Sequence, residues 1–188
     1  NLGLEENNVN IERGFIKVNE WYQTNVPGIY AIGDITGPPL LAHVASHEGL
    51  ICVEKIAGLT PHALDYGSIP GCTYCQPQVA SIGMTEAAAK DAGYSLKIGR
   101  FPYAASGKAR AIGERDGFVK LIFDAKYGEL LGAHIIGAEA TELIAELGIA
   151  KALETTPAEL AKTIHAHPTL SEMIMEAAGA ALGEAIHI

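Results

Sequence analysis

The sequence predicts an α+β fold, and three features carry that prediction. Strand-like runs follow one another between residues 69 and 137, separated by Gly, Pro and polar turn residues. From residue 139 onward the pattern is helical almost to the end. The first 66 residues follow a different plan, in which a strand runs into a Gly-Asp turn and then a helix. That order is the one in which α/β folds place ligands, at the carboxyl end of a strand.

The elements can be justified in turn. Phe15-Ile16-Lys17-Val18-Asn19 reads as a short strand after the Arg13-Gly14 turn. Gly28-Ile29-Tyr30-Ala31-Ile32 reads as a second strand, entered from Val26-Pro27 and stopped by Gly33-Asp34. After the breaker Gly37-Pro38-Pro39, residues 41–57 suit a helix closed by Gly58. Residues 59–68 contain Pro61 and Gly67 and read as a linker, which divides the chain into residues 1–66 and 67–188. Beyond it, strands are expected at 69–75, 78–83, 95–102, 118–124 and 129–137. The last two are joined by a Lys126-Tyr127-Gly128 hairpin turn. Helices are expected at 85–92, 139–153, 157–162 and 170–183. Thr85 can cap the first, with Gly93 closing it. Thr156-Pro157-Ala158-Glu159 has capping-box spacing, with proline at the first helical position. Together these give an antiparallel sheet covered by helices on one face.

Composition narrows the function. The chain has 188 residues, 48% apolar and 19% charged, so a sizeable core is available. A formal charge of −9 argues against a nucleic-acid partner, which needs clustered Lys and Arg. There is no apolar run of about 18 residues to span a bilayer and no signal-peptide pattern. Three cysteines are too few for a secreted disulfide scaffold, so a reducing, cytoplasmic compartment is expected. The chain opens on Asn1 rather than methionine, which hints at a fragment.

Two places hold candidate chemistry. Asp34 follows a strand and a glycine, with a helix starting soon after Leu40. A carboxylate there can accept hydrogen bonds from ligand hydroxyls, while N–H groups at the helix start can face an anion or a carbonyl. The alternative is an Asx-turn in which Asp34 bonds its own backbone. His43 and His47 are four apart, as metal ligands on a helix can be, but no third ligand accompanies them.

The second place is His165-Ala166-His167-Pro168-Thr169-Leu170-Ser171-Glu172. Thr169 and Glu172 have capping-box spacing, which would start the last helix near Leu170. Glu172 can then reach back to the Thr169 N–H or to the His167 imidazole. A carboxylate on one ring nitrogen fixes the tautomer and makes the other nitrogen the better proton acceptor. Such a base suits thiol chemistry, since a thiol of reference pKa about 8.5 is only about 3% thiolate at pH 7. Cys72-Thr73-Tyr74-Cys75 has redox-motif spacing, but it falls in an expected strand rather than at a helix start. Its side chains would alternate faces, so a structural role is expected.

These motifs resemble a known family. Thr24-Asn25-Val26-Pro27-Gly28-Ile29-Tyr30-Ala31-Ile32-Gly33-Asp34 looks like the second flavin-binding motif of the pyridine nucleotide–disulfide oxidoreductases. Leu40-Leu41-Ala42-His43-Val44-Ala45 is similar to its continuation in the dihydrolipoamide dehydrogenase branch, and His-x-His-Pro-Thr-x-Ser-Glu resembles that branch's C-terminal signature. Ile69-Pro70, Ser81-Ile82-Gly83, Gly117-Phe118-Val119-Lys120 and Leu131-Gly132-Ala133-His134 extend the likeness over nearly the whole chain.

The resemblance implies that Gly33, Asp34, Leu40, Leu41, Ala42 and His43 bind FAD, with Asp34 on a ribityl hydroxyl. It implies that His167 is the general base and Glu172 its partner, that His165 is not the base, and that the His167–Pro168 peptide is cis. Residues 1–66 would be the end of an NAD domain and the returning part of an α/β FAD domain. Residues 67–188 would be an interface domain forming a homodimer. The parent enzyme would reoxidise dihydrolipoyl groups of 2-oxo acid dehydrogenase complexes, or of a glycine cleavage system, and pass electrons to NAD. The chain has no G-x-G-x-x-G loop, NAD fingerprint or C-x-x-x-x-C pair, so by itself it is expected to be inactive and to bind FAD weakly or not at all. Cys75-Gln76-Pro77-Gln78 departs from the family's usual Thr-His-Pro-Glu. Glutathione and mercuric reductases are sibling alternatives, although Met173 stands where the former carry a second glutamate and the latter's C-terminal cysteine pair is missing. A non-catalytic dimerisation module is the alternative of another class.

Overall fold

The computed structural model describes residues 2–187, which fall into two compact units that divide between Tyr66 and Gly67. The fold is α+β.

The first unit begins with a small hairpin, β1 (Ile11–Glu12) and β2 (Phe15–Ile16), turned by Arg13 and Gly14 at φ 54° and 88°. Two successive positive φ values match the twist of paired strands. The expected strand over 15–19 is therefore confined to its first two residues. The expected strand over 28–32 is not formed either, and only an isolated bridge joins Gln23 to Tyr30. The neighbouring residues 22–24 meet it only around that bridge, through the Thr24 N–H to the Ile29 carbonyl and the Ala31 N–H to the Tyr22 carbonyl, each 3.0 Å, which is too short a pairing for a ladder. Residues Gly33–Thr36 form a 3-10 turn, and α1 (Ala42–Ile56) follows. Helix α1 buries Val44, Glu48 and Cys52, one residue per turn on a single face.

The second unit is built on a five-stranded antiparallel sheet, β3 (Gly71–Thr73), β4 (Gln78–Gly83), β5 (Leu96–Pro102), β6 (Phe118–Asp124) and β7 (Leu130–Gly137), in the order β3-β4-β7-β6-β5. Alternation decides its faces. Val119, Leu121 and Phe123 of β6 point into the main core, whereas Ile122 points the other way, to Ala89 and Leu131. The main core lies under α4 (Ala140–Ala152) and α6 (Glu172–Leu182), with α5 (Pro157–Lys162) packed on α6. Its largest side chains include Phe101, Tyr103, Phe123, Leu147 and Met173. The opposite face carries α2 (Glu86–Asp91), capped by Thr85 and tied to β6 by a Lys120–Glu86 ion pair of 2.6 Å.

Three departures from the sequence reading have a clear local cause. Strand β3 ends at Thr73 instead of 75, because the Cys75 N–H turns back to the Thr73 carbonyl and Pro77 has no N–H to offer. Helix α6 starts at Glu172 rather than 170, since Met173 and Ile174 bond three residues back, to Leu170 and Ser171. A helix over Gly107–Ile112, α3, was not expected. Ser106 caps it by accepting from the Ala109 N–H, and Gly113 ends it at φ 80°. The unusual Gln78 has a defined task. Its side-chain oxygen accepts from the N–H and hydroxyl of Thr141 at the start of α4, at 3.1 and 2.9 Å.

Candidate active site

His167 sits in the extended segment between α5 and α6 and enters a cis peptide bond with Pro168. Its Nδ1 lies 2.9 Å from Oε1 of Glu172, the first residue of α6. The other Glu172 oxygen accepts from the Thr169 N–H at 2.8 Å, and the Thr169 hydroxyl donates to the Ala166 carbonyl at 2.7 Å. The two roles open to Glu172 in the sequence are therefore filled together, one by each oxygen. Nδ1 faces an acceptor, so it carries the proton, and Nε2 is left as the basic nitrogen. Among the described residues Nε2 has no hydrogen-bond partner, and the His167 side chain is 78% exposed.

Partial burial pushes the Glu172 carboxyl up, but the Thr169 N–H and the His167 ring together outweigh it and hold it below the ordinary carboxylate range. A depressed folded-state pKa contributes stability above the unfolded value of about 4.3, and that contribution is lost as pH falls through the folded value. Glu172→Gln should therefore destabilise the protein at pH 7, and the difference from wild type should vanish in acid. Urea unfolding of both forms from pH 7 to pH 3 measures this. A gap that persists undiminished at pH 3 would show that the ionised carboxylate is not its source.

The pair lines a pocket of about 280 Å³ that also includes Phe101, Arg110, Glu176 and His187. Here the structure adds residues that sequence reasoning missed. Glu176 is only 5% exposed, one turn after Glu172 on α6, and the end of the chain folds back to meet it. It takes the His187 ring on one oxygen at 2.6 Å and the Ile186 N–H on the other at 3.0 Å. An acid inside an otherwise apolar helix face, Met173, Ile174 and Ala177, was the available signal. His165 faces away from this chemistry. Its nitrogens meet Glu146 of α4 at 2.7 Å and the Thr163 carbonyl at 2.8 Å, and its side chain is buried.

The expected flavin residues lie in the first unit. Gly33 has φ 73°, and a Cβ there would stand 3.1 Å from that of Ala45. Its N–H donates to Oε2 of Glu48 at 2.6 Å, and its carbonyl accepts from the Thr36 hydroxyl at 2.8 Å. Asp34 is exposed, and its carboxylate makes no hydrogen bond among the described residues, so the Asx-turn does not form. Leu40 and Leu41 lead into α1, whose first residues are Ala42 and His43, and the Leu41 carbonyl accepts from Val44 and Ala45. An outward carboxylate beside the exposed apolar side chains Ile35 and Leu40 fits a ligand with both a polyol and an apolar ring, as FAD has. The His43 carbonyl is 2.9 Å from the His47 ring, a bond within the helix.

The cysteines are all free thiols. Cys75 lies beyond β3, in the turn, with Sγ directed at the Pro77 carbonyl, so it does not sit inside a strand as the sequence suggested. Burial pushes the Cys52 and Cys72 thiols up, the opposite of what a reactive thiol needs. Among the described residues no cluster of three metal-binding side chains occurs, and no helix is long and apolar enough to cross a membrane.

Comparison with known proteins gives one answer from sequence and structure. The family model for the pyridine nucleotide-disulphide oxidoreductase dimerisation domain matches residues 69–178, and that for pyridine nucleotide-disulphide oxidoreductases matches residues 1–49. The chain is 57% identical over its full length to a dihydrolipoyl dehydrogenase of Rhizobium etli, covering 39% of that protein. It is 54% identical over 99% of its length to one of Bacillus subtilis, again covering 39%. The chain thus spans about two fifths of these curated relatives. Among solved structures it resembles LpdA of Mycobacterium tuberculosis, with a TM-score of 0.88 and 29% identity over 94% of this chain and 39% of that one. It also resembles the HOCl-induced flavoprotein disulfide reductase RclA of Escherichia coli, with a TM-score of 0.90 and 25% identity over 95% of this chain and 41% of that one.

Proposed function

The chain belongs to the pyridine nucleotide-disulphide oxidoreductases, and from that premise we propose that it is the C-terminal part of a dihydrolipoyl dehydrogenase. The observation that carries the reading is the His167–Glu172 bond, which leaves Nε2 basic and facing outward. Nε2 takes a proton from one thiol of the dihydrolipoyl group. The thiolate attacks a disulfide sulfur supplied by a second copy of the enzyme, and the S–S bond breaks to give a mixed disulfide. The second substrate thiol gives its proton to the enzyme thiolate just released and displaces the first enzyme sulfur, so the substrate leaves as a cyclic disulfide and the enzyme pair is left reduced, one thiol and one thiolate beside the His167 imidazolium. Glu172 balances the imidazolium while it lasts. Gly33, Asp34, Leu40, Leu41, Ala42 and His43 would hold FAD, which when bound would supply hydride transfer of those electrons to NAD. Residues 67–188 form the homodimer that brings His167 to the other copy's disulfide. The lipoyl group comes from a 2-oxo acid dehydrogenase complex or a glycine cleavage protein.

A substrate panel tests the reading. The full-length protein containing this chain, loaded with FAD, should reduce NAD with dihydrolipoamide, and should turn over glutathione disulfide and mercuric ion at least about 100-fold more slowly, as expected for a site that discriminates by polar contacts. Preference for either of the latter would reassign the chain to a sibling reductase. No turnover of any of them by a FAD-loaded dimer would leave a dimerisation module.

A further inference from the structure

We propose that Glu48 is a positioning residue for the flavin site, a buried carboxylate that holds the Gly33–Asp34 turn from inside the first unit. The inference rests on the flavin reading above. Glu48 is 3% exposed on α1, among the apolar neighbours Val44 and Cys52. Nothing about helix packing calls for an acid there, and burying one is costly unless every oxygen is paired. Both are. Oε2 accepts from the Gly33 N–H at 2.6 Å, and Oε1 accepts from the Tyr66 hydroxyl at 2.7 Å.

The Tyr66 hydroxyl lies in turn 3.4 Å from that of Tyr22. Burial, with the Glu48 bond adding to it, pushes the Tyr66 hydroxyl far above its ordinary range, so it stays a donor. Both Glu48 oxygens thus accept, one from Gly33 and one from Tyr66, and a side chain without oxygens would leave the Gly33 N–H unpaired.

The consequence falls on Asp34. Gly33 adopts a positive φ that L side chains rarely take, and its N–H and carbonyl are both anchored, by Glu48 and by Thr36. Asp34 is the next residue, and its backbone carbonyl accepts from Gly37 N–H at 3.3 Å. The Asp34 carboxylate is exposed to a ligand, and its direction is set by the turn that Glu48 fixes. Sequence reasoning passed over Glu48 because it sits six residues into a helix and away from any motif end.

FAD titration of the full-length apo-protein, followed by flavin fluorescence, tests this. Glu48→Leu keeps a side chain of similar size in the buried position and leaves the Gly33 N–H without its acceptor. FAD affinity should fall roughly 10–100-fold, the range for a hydrogen bond to a charged group. Tyr66→Phe keeps the Gly33 bond and should lose less affinity than Glu48→Leu. Val9→Ala truncates the core of the same unit, in the cluster that Val9 forms with Ile16 and Ala31. It should lower thermal stability while binding FAD as wild type does. Wild-type affinity in Glu48→Leu would overturn the assignment while leaving the flavin reading intact, as would affinities that simply follow thermal stability across all three variants. A wild-type apo-protein that takes up no FAD would overturn both.

Discussion

In the full-length enzyme, His167→Gln should lower dihydrolipoamide turnover by about 10²–10⁴-fold, the range for loss of a general base. Glutamine keeps a polar side chain of similar reach, but its amide accepts no proton near neutral pH. Only about 3% of an ordinary thiol is ionised at pH 7, so the attacking thiolate becomes scarce once the base is gone. Transfer from NADH through flavin to an artificial dye needs no thiol proton and should persist. Glu172→Gln should be milder, and the geometry says how it fails. The two carboxylate oxygens serve two different donors, Nδ1 of His167 and the Thr169 N–H. An amide has one oxygen for both. Where that oxygen stays with Thr169, its NH₂ faces Nδ1 and drives the ring proton to Nε2, the nitrogen that must accept. The paired activities of each purified, FAD-loaded variant decide the matter. Equal loss of both in His167→Gln would point to a structural role, and unchanged dihydrolipoamide turnover would mean that another group is the base.

The elements legible in the sequence were those whose local chemistry agreed with the fold. Strands β4 and β6 run over the residues that their alternation predicted, because each has partners on both sides and one face in the core. Helix α5 begins at Pro157 as its capping residues required, with the Thr156 N–H donating to Glu159 at 3.2 Å. The His167–Glu172 contact was readable because both residues lie within one turn of a helix start. What sequence could not give were elements defined by distant partners. The segment 28–32 has strand chemistry, but its neighbour, residues 22–24, pairs with it for a single bridge. The Glu176–His187 contact exists only because the last residues fold back onto α6. Glu48 gains meaning only when Tyr66, 18 residues later, returns to it. Helix α3 was overlooked for a different reason: its six residues are too short for a period, and only its caps, Ser106 and Gly113, announced it.

The second large effect is expected at a position with no polar atom to lose. Gly99, in the middle of β5, lies directly beneath the backbone of α6. A Cβ added there would stand 1.7 Å from the Ala177 carbonyl oxygen and 3.0 Å from the Ala181 nitrogen. These are main-chain atoms, so no rotamer can relieve the clash and the helix itself must retreat by more than about 1 Å to reach van der Waals contact. Overpacking of this kind costs about 1–3 kcal/mol or more, and Gly99→Ala should lie at or beyond the upper end because two regular elements must separate. The effect reaches the chemistry as well, since α6 begins at Glu172. A displacement of about 1 Å at a reacting group can cost on the order of 10²-fold in rate. Gly148→Ala on α4 provides the opposite sign. The nearest atom to its new Cβ is the Ile82 methyl at 3.8 Å, an ordinary contact, and alanine in a helix interior is favoured over glycine by about 0.5–1 kcal/mol. Thermal or urea unfolding of the two variants should therefore move in opposite directions from wild type. A Gly99→Ala protein as stable and as active as wild type would show that α6 can lift from the sheet at little cost, and that its packing on β5 does not fix the position of Glu172.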